Sequence, residues 1–210
     1  MREGCNSHVE RLDDRLGLRS AVGRPGSYRD VRAQIAFGDI LLYRGKGFVS
    51  HLIEDLTHGS YSHCGMAAWW NNDHTEPRLM VFEAVWPVVA LRPASLSVDD
   101  YSGPVDWYSL GREYRETLAL DRVFETALQK IGRPFAVGGL FRYLFWLVIG
   151  AKRIAELKSN EYFCSQYLSE CFRAGNLDPV RLKPDTFTSP VEFAKSGIWA
   201  YRATIHQNGQ

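Results

Sequence analysis

One cysteine and one histidine of this sequence stand where covalent chemistry would need them. A thiol attacks a carbonyl carbon well only as a thiolate, so a catalytic cysteine needs a pKa lowered by a helix N-terminus, by a histidine, or by both. Residues 161–174 have the apolar spacing of an amphipathic helix, and Cys164 lies at its predicted start. The unpaired backbone N–H groups there could also stabilise an oxyanion beside the sulfur. Cys164 is therefore the candidate nucleophile.

The other cysteines are weaker candidates. Cys171 lies seven positions further along the same predicted helix, about 10 Å away, which is too far for a disulfide with Cys164. Cys64 directly follows His63 in a predicted strand, and alternation sends their side chains to opposite faces, so Cys64 is not the thiol that His63 would activate. Cys5 lies in a polar segment with no chemical context. We expect Cys171 to be part of the core.

His63 is the candidate general base, and Glu83 is the candidate residue to orient it. His63 stands at the start of a predicted strand in which Gly65 and Ala67 leave room on its own face. Glu83 is a lone carboxylate in an otherwise apolar strand, and a buried carboxylate needs a partner. An imidazole N–H on the adjacent strand would supply one, as in a catalytic triad. Arg92 is the alternative partner for this carboxylate.

The composition favours one ordinary globular domain. The chain has 210 residues, 45% of them hydrophobic and 23% charged, and a formal net charge of +1. This near-neutral balance does not favour nucleic acid as a partner. No secretory signal precedes Cys5, and the apolar run Leu144–Ile149 is far shorter than the about 20 residues of a membrane-spanning helix. We therefore expect a cytoplasmic protein with reduced thiols.

The predicted elements form a strand-rich part followed by a helix-rich part. Short turns between strands imply antiparallel neighbours, and strands followed by helices predict an α+β domain with helices on one side of the sheet. Residues 1–36 are predicted to be an N-terminal arm or cap, and residues 37–210 the main domain. The predicted strands span residues 38–43, 62–69, 79–86, 88–92, 105–108 and 198–204. The predicted helices span residues 9–18, 48–56, 116–131, 135–157, 161–174 and 190–196.

Five short motifs occur in an order that resembles one known family. They are Gly38-Asp39-Ile40, Tyr61-Ser62-His63-Cys64-Gly65-Met66, Phe82-Glu83-Ala84, Gly132-Arg133-Pro134-Phe135 and Tyr162-Phe163-Cys164-Ser165-Gln166. Over about residues 37–200, the chain resembles the permuted papain-like cysteine hydrolases typified by YiiX and YaeF, relatives of the NlpC-type peptidases. The resemblance implies a circularly permuted papain-like α+β fold, with helices packed on a central antiparallel sheet or half-barrel. It also implies a catalytic triad of Cys164, His63 and Glu83.

The same resemblance implies cysteine-peptidase or amidase chemistry with a thioester intermediate and no cofactor. The substrate would be a peptide or an acyl amide, and nucleic acid is not an expected partner. The apolar segment around Trp146 favours a substrate with an acyl chain, or contact with lipid or a membrane. The alternative is a non-catalytic papain-like module that binds a protein partner or membrane lipid.

Further side chains near these motifs are candidate contacts to an oxyanion or to the substrate. They are Tyr61, Tyr162, Ser165 and Gln166. Family members often carry an acidic residue at the position of Gln166. A metal site is not predicted, because the histidines and Cys64 match no standard spacing of zinc ligands.

Overall fold

A seven-stranded sheet forms the centre of the described chain. The structure is a computed structural model, and it describes residues 26–45, 60–72, 75–136, 162–181, 184–185 and 188–206. The strands are β1 (Gly26–Ser27), β2 (Ile40–Tyr43), β3 (His63–Asn72), β4 (Thr75–Val85), β5 (Val88–Pro93), β6 (Val105–Leu110) and β7 (Trp199–His206). The helices are α1 (Tyr28–Val31), α2 (Ala94–Asp99), α3 (Arg112–Thr117), α4 (Leu120–Gln129), α5 (Cys164–Ala174) and α6 (Pro190–Lys195).

The strand order places β2 and β3 at the middle of the sheet. The order is β1-β7-β6-β2-β3-β4-β5. Neighbouring strands are antiparallel except β1 and β7, which are parallel. Tyr43 on β2 stands opposite His63 on β3, and Leu42 stands opposite Cys64. The predicted α+β class and the antiparallel pairing of the central strands are confirmed.

Apolar side chains leave the sheet on both of its faces. On β2, Ile40 and Leu42 join a core with α4 and α5, whereas Leu41 and Tyr43 join a second core on the opposite face. The prediction that helices cover only one side is wrong, because α1 and α2 contribute to this second core. A strand buried on both faces reads as an unbroken apolar run, so its sequence carries no alternation from which a second layer could be inferred.

Residues 26–36, which the sequence assigns to the N-terminal arm, pack against this second face. The β1 strand pairs with β7. Tyr28, Val31 and Ile35 are buried in the second core. This part of the predicted arm therefore contributes to the layers around the sheet.

The helix predicted over residues 116–131 is divided into α3 and α4. The backbone is extended at Leu118, and the N–H of Ala119 donates to the carbonyl of Gly175 at 3.0 Å. A Cβ atom at Gly175 would lie 2.4 Å from Cγ2 of Val123, so only glycine allows the end of α5 to approach α4 this closely. A tertiary contact thus interrupts a helix that the local sequence would continue.

The helix predicted over residues 161–174 begins only at Cys164. Phe135, predicted to begin a helix, instead forms a parallel bridge with Tyr162. This bridge keeps the chain extended up to the residue before the cysteine. The rest of the helix predicted over 135–157, from residue 137 on, lies outside the described residues, as do the helices predicted over 9–18 and 48–56.

Asp39 anchors the beginning of β2 to the rest of the domain. Its buried carboxylate accepts hydrogen bonds from the backbone N–H groups of Ala36 and Leu110 at 2.9 Å each. Nε1 of Trp107 donates to it at 2.9 Å, and Arg115 forms an ion pair with it at 2.6 Å. A buried carboxylate with this many donors is satisfied, and it holds β2 in place beneath the site described next.

Candidate active site

The start of α5 places the Cys164 thiol at a helix N-terminus. Phe163 has an extended backbone, with φ −103° and ψ 162°, and Cys164 is the first helical residue. Just before it, the N–H of Tyr162 donates to the carbonyl of Pro134 at 3.0 Å, and its carbonyl accepts from Ala136 at 2.8 Å. The N–H groups of the first helical turn have no helical acceptor, so they are available to a developing negative charge.

The predicted base lies on the strand beneath this helix start. His63 is the first residue of β3, and its ring lies 4.9 Å from that of Tyr43, centroid to centroid. It also stacks on Tyr101, with centroids 6.4 Å apart and planes 23° from parallel. Nε2 of His63 lies 2.7 Å from Oε2 of Glu83. Since the carboxylate takes Nε2, Nδ1 is the ring nitrogen left for the hydrogen bond to Cys164.

Glu83 contacts both of the partners that the sequence offered for it, His63 and Arg92. Its Oε2 atom binds His63, and its Oε1 atom accepts a hydrogen bond from Nη1 of Arg92 at 3.2 Å. The two cations therefore do not compete, because each uses a different carboxylate oxygen. Gly65, opposite Glu83 on the neighbouring strand, is required by packing: a Cβ atom there would lie 2.4 Å from Cγ1 of Val81.

The ionisation of the site follows from these contacts. Hydrogen bonds from the Cys64 thiol and from His63 hold the pKa of Cys164 well below its usual range, against the opposing effect of burial. Burial lowers the pKa of His63, but hydrogen bonds to Cys164 and Glu83 outweigh it and raise that pKa to about 10. Burial also opposes the ionisation of Glu83, yet His63 and Arg92 keep its pKa below the usual range. These directions favour the thiolate form of Cys164 and the protonated form of His63.

Cys64 is the member of the site that the sequence did not reveal. Strand alternation turns it to the face opposite Glu83, as expected, but that face carries α5 and the Cys164 thiol. Burial and the neighbouring Cys164 raise the pKa of Cys64, so this second thiol stays protonated. The sequence signal for Cys64 was its alternation to the face opposite His63, and only the structure shows that α5 covers that face.

Tyr61 lies in a polar network near the start of β3. Its hydroxyl donates to Oδ2 of Asp106 at 2.8 Å and lies 3.0 Å from the hydroxyl of Tyr108. The other Asp106 oxygen accepts from Nη2 of Arg44 at 2.8 Å. The structure thus gives the Tyr61 hydroxyl internal partners, and a contact to an oxyanion or substrate stays a prediction.

The three candidates on either side of the cysteine also have internal partners. The Tyr162 hydroxyl accepts from Nζ of Lys130 at 2.7 Å. The Ser165 hydroxyl donates to the carbonyl of Thr188. Nε2 of Gln166 donates to Glu170 at 3.0 Å, whereas its buried Oε1 atom has no hydrogen-bond partner within the described part of the chain. Among these candidates Gln166 therefore keeps an unused buried acceptor, and all three substrate roles stay predictions.

The fold and site together define an α+β domain with a buried cysteine–histidine–glutamate cluster. A similar fold occurs in the crystal structure of the metalloprotein YiiX from Escherichia coli O157:H7, with a TM-score of 0.51 and 18% sequence identity, covering 83% of this chain and 89% of that chain. The chain thus has the YiiX-like fold that its motifs predicted. At this identity the likeness concerns the fold alone. No protein-family model matches the sequence, and no curated protein matches it significantly.

YiiX is described as a metalloprotein, whereas the residues described around Cys164 do not form a set of metal ligands. Within the described ranges, no group of three or more His, Cys, Asp or Glu side chains could hold one. Nε2 of His63 is taken by Glu83 at 2.7 Å.

The predicted contact with lipid or an acyl chain falls on a segment without a structural description. Trp146 lies outside the described residues. Of the helices that are described, none is long and apolar enough to cross a membrane.

Proposed function

We propose that this protein is a cysteine hydrolase of the circularly permuted papain-like kind, which cleaves an amide bond through a thioester intermediate. The observation that carries the proposal is the contact of Cys164 with His63, which is itself paired with Glu83 at 2.7 Å. The histidine and glutamate strands precede the cysteine helix in the chain, which is the order of the permuted family that the sequence resembles. The YiiX-like fold supports the same assignment.

In the first step, the thiolate of Cys164 attacks the carbonyl carbon of the scissile amide. The negative charge moves to the carbonyl oxygen, to which the N–H groups at the start of α5 donate hydrogen bonds. His63 already carries a proton because its pKa lies near 10. It donates this proton to the leaving nitrogen as the C–N bond breaks, so an amine departs and a thioester remains on Cys164.

In the second step, neutral His63 takes a proton from water while the water oxygen attacks the thioester. The acid product leaves, and the thiolate and imidazolium are restored. Glu83 orients the ring and stabilises its charged form in both steps. Arg92, bound to the other oxygen of Glu83 at 3.2 Å, restricts the carboxylate to the orientation that faces His63.

The proposed substrate is a peptide or an acyl amide, since both present the same reacting carbonyl and leaving amine. A matched series separates these classes: one amino acid carrying acetyl, octanoyl or palmitoyl groups on its nitrogen, beside short peptides with the same amino acid at the cleaved bond. A rate that rises with acyl length indicates an acyl amide. A rate that depends on neighbouring amino acids indicates a peptide.

The test of the activity compares two cysteine variants of the same helix. Cys164→Ala should lower hydrolysis of every accepted amide by about 10³-fold or more, whereas Cys171→Ala should retain it. Wild-type protein quenched in acid during turnover should carry the acyl group on the peptide that contains Cys164. Unchanged hydrolysis by Cys164→Ala, or an acyl group on another residue, would overturn the proposal. Slow alkylation of Cys164 together with no turnover of any amide favours the binding module.

A further inference from the structure

Cys64 and Cys164 bring two thiols into contact at the start of α5. The α5 helix packs on β3, and Cys64 faces it from that strand in the same core cluster as Cys164. The two thiols are hydrogen-bond neighbours there. Both belong to the same core cluster, but Cys164 is 7% exposed and Cys64 only 1% exposed. A small oxidant from the solvent therefore meets Cys164 first.

The hydrolytic mechanism gives Cys64 no proton to transfer and no bond to form. Cys64 stays a thiol, because burial and the adjacent sulfur raise its pKa, while Cys164 is the thiolate of the pair. Oxidants attack thiolates in preference to thiols, and a sulfenic acid formed on one cysteine condenses readily with a thiol beside it. In this pair, the Cys164 sulfur is suited to be oxidised, and the Cys64 sulfur is suited to attack the oxidised sulfur.

We propose that Cys64 is a resolving thiol, which forms a reversible disulfide with Cys164 after a peroxide has oxidised Cys164. The pair is then a redox modification site that withdraws the nucleophile and protects it from irreversible oxidation. As a regulation of amide hydrolysis the proposal rests on the proposed function. The oxidation itself needs no amide substrate.

The reaction balances with hydrogen peroxide as the oxidant. The Cys164 sulfur attacks one peroxide oxygen, so that an S–O bond forms, the O–O bond breaks, and the departing hydroxide takes the proton of His63 to become water. The Cys64 sulfur then attacks the sulfenic sulfur, so that the S–S bond forms and the S–O bond breaks. The second hydroxide combines with the Cys64 proton. The two cysteines lose two electrons, and the peroxide becomes two molecules of water.

The third described cysteine is placed too far away to take this part. Closing a disulfide brings the sulfurs from hydrogen-bond contact to about 2.05 Å. That movement falls on the first residue of α5 and the second residue of β3. Cys171 lies two helical turns from Cys164, about 10 Å along the axis, and it cannot reach without unwinding α5.

The test treats the full chain with a small excess of hydrogen peroxide and follows intact mass, free thiols and cross-linked peptides. The wild type should lose about 2 Da and two thiols, with a disulfide joining the peptides of Cys64 and Cys164. Dithiothreitol should restore both thiols and the rapid alkylation of Cys164. Cys64→Ala should instead gain oxygen on Cys164, in forms that dithiothreitol does not reverse.

Two further variants keep the outcome decisive. Cys64→Ser retains a hydrogen-bonding group beside Cys164 without a second sulfur, so it should oxidise as Cys64→Ala does even if the alanine variant folds poorly. Cys171→Ala, the matched control, should form the disulfide as the wild type does. Equal oxygen gain by wild type and Cys64→Ser, or a disulfide from Cys164 to Cys171 or Cys5, overturns the proposal.

The two proposals fail separately. A wild type that hydrolyses amides but forms no disulfide between Cys64 and Cys164 defeats the resolving role alone. A wild type that forms this disulfide but turns over no amide leaves the redox chemistry in place and defeats the hydrolase.

Discussion

The two ends of α5 carry the same buried side chain with opposite chemistry. Cys164 and Cys171 are both nearly inaccessible to solvent. At the N-terminal end, contacts with Cys64 and His63 lower the pKa of Cys164 in spite of burial. Two turns further on, burial raises the pKa of Cys171. Burial is common to both, so burial does not decide which thiol is reactive.

The difference lies in whether the neighbouring cation also donates a hydrogen bond to the sulfur. Lys130 acts on Cys171 and lowers its pKa, but not enough to offset burial. Its ammonium group already binds Glu170 at 2.6 Å and the Tyr162 hydroxyl at 2.7 Å. An imidazolium has two N–H groups on different edges of one ring, so His63 can serve a carboxylate and a thiolate together. Lys130 acts on the Cys171 thiol by its charge alone, whereas His63 acts on the Cys164 thiol by its charge and by a hydrogen bond.

Removing the imidazole should make the two ends of α5 alike, and of the changes that leave Cys164 in place this should have the largest effect. In His63→Ala the Cys164 thiolate loses its cation, so the pKa of Cys164 rises and amide hydrolysis falls by about 10²- to 10⁴-fold. Alkylation by iodoacetamide near neutral pH, with peptide mapping, measures the effect at both cysteines in one sample. A Cys164 that still reacts rapidly in this variant would show that the helix start and Cys64 are sufficient.

Neutralising the carboxylate should narrow the pH range of activity. Glu83 favours the imidazolium, so Glu83→Gln should lower the pKa of His63 from about 10. The expected decrease is about one to three units. Because hydrolysis needs the protonated ring, the falling limb of the pH–rate profile should move to lower pH. When His63 is less readily protonated, it also stabilises the Cys164 thiolate less. The pKa of Cys164 should then rise, and the rising limb should move to higher pH.

The pH–rate profiles of kcat/KM for wild type and Glu83→Gln, together with thiolate absorbance at each pH, check both limbs. Gln keeps the shape of the Glu83 side chain and its hydrogen-bonding capacity. Circular dichroism of the variant shows whether a changed profile comes instead from a loss of folded structure. Superimposable profiles would mean that Glu83 does not set the ionisation of His63.

Crowding the strand under His63 should have a moderate effect while keeping every charge of the site. In Gly65→Ala the new methyl group meets Cγ1 of Val81. Overpacking of this kind costs about 1–3 kcal/mol in the free energy of unfolding. We also expect a severalfold loss of hydrolysis, because Glu83 stands directly opposite. Chemical denaturation and kinetics measure the two effects.

The double variant Gly65→Ala, Val81→Ala gives the matched control for this clash. Removing Val81 Cγ1 should recover part of the stability that Gly65→Ala loses, so the two changes should not be additive. Additive losses of stability would show that contact of the new methyl group with Val81 is not the source of the strain.

The smallest effect is expected at the other end of the helix. Cys171→Ala should leave hydrolysis within about twofold and lower the free energy of unfolding by about 1 kcal/mol, the usual scale for a small change in a core. Urea denaturation and steady-state kinetics of the same preparation measure both. A large loss of activity with an unchanged fold would contradict the division of α5 into a reactive and an inert end.

The strands and the helix that begins at Cys164 could be predicted because their signals are local. Alternating apolar residues and turn residues predicted β3 to β6. The α6 helix begins as expected, with Ser189 as its N-cap before Pro190. The break between α3 and α4 could not be predicted, because it depends on Gly175, far away in the chain. The second core was hidden because a strand buried on both faces shows no pattern.

Within the site, a contact between two residues could be predicted where both lie on strands of the same sheet. Glu83 beside His63 followed from burial of a lone carboxylate, and the structure brings them together at 2.7 Å. Their meeting with Cys164 came from family resemblance, since no local rule docks a helix end on a strand. Cys64 was overlooked for the same reason: alternation gave its face, but not what packs on that face.

The pairing of β3 with β2 has a consequence for changes in chain length. His63 and Cys64 are adjacent in the chain, yet one faces the carboxylate and the other faces the helix. Inserting or deleting one residue at the start of β3 would exchange them, putting a thiol beside Glu83 and an imidazole under α5. A length change of a single residue at the start of β3 should therefore be as damaging as loss of Cys164.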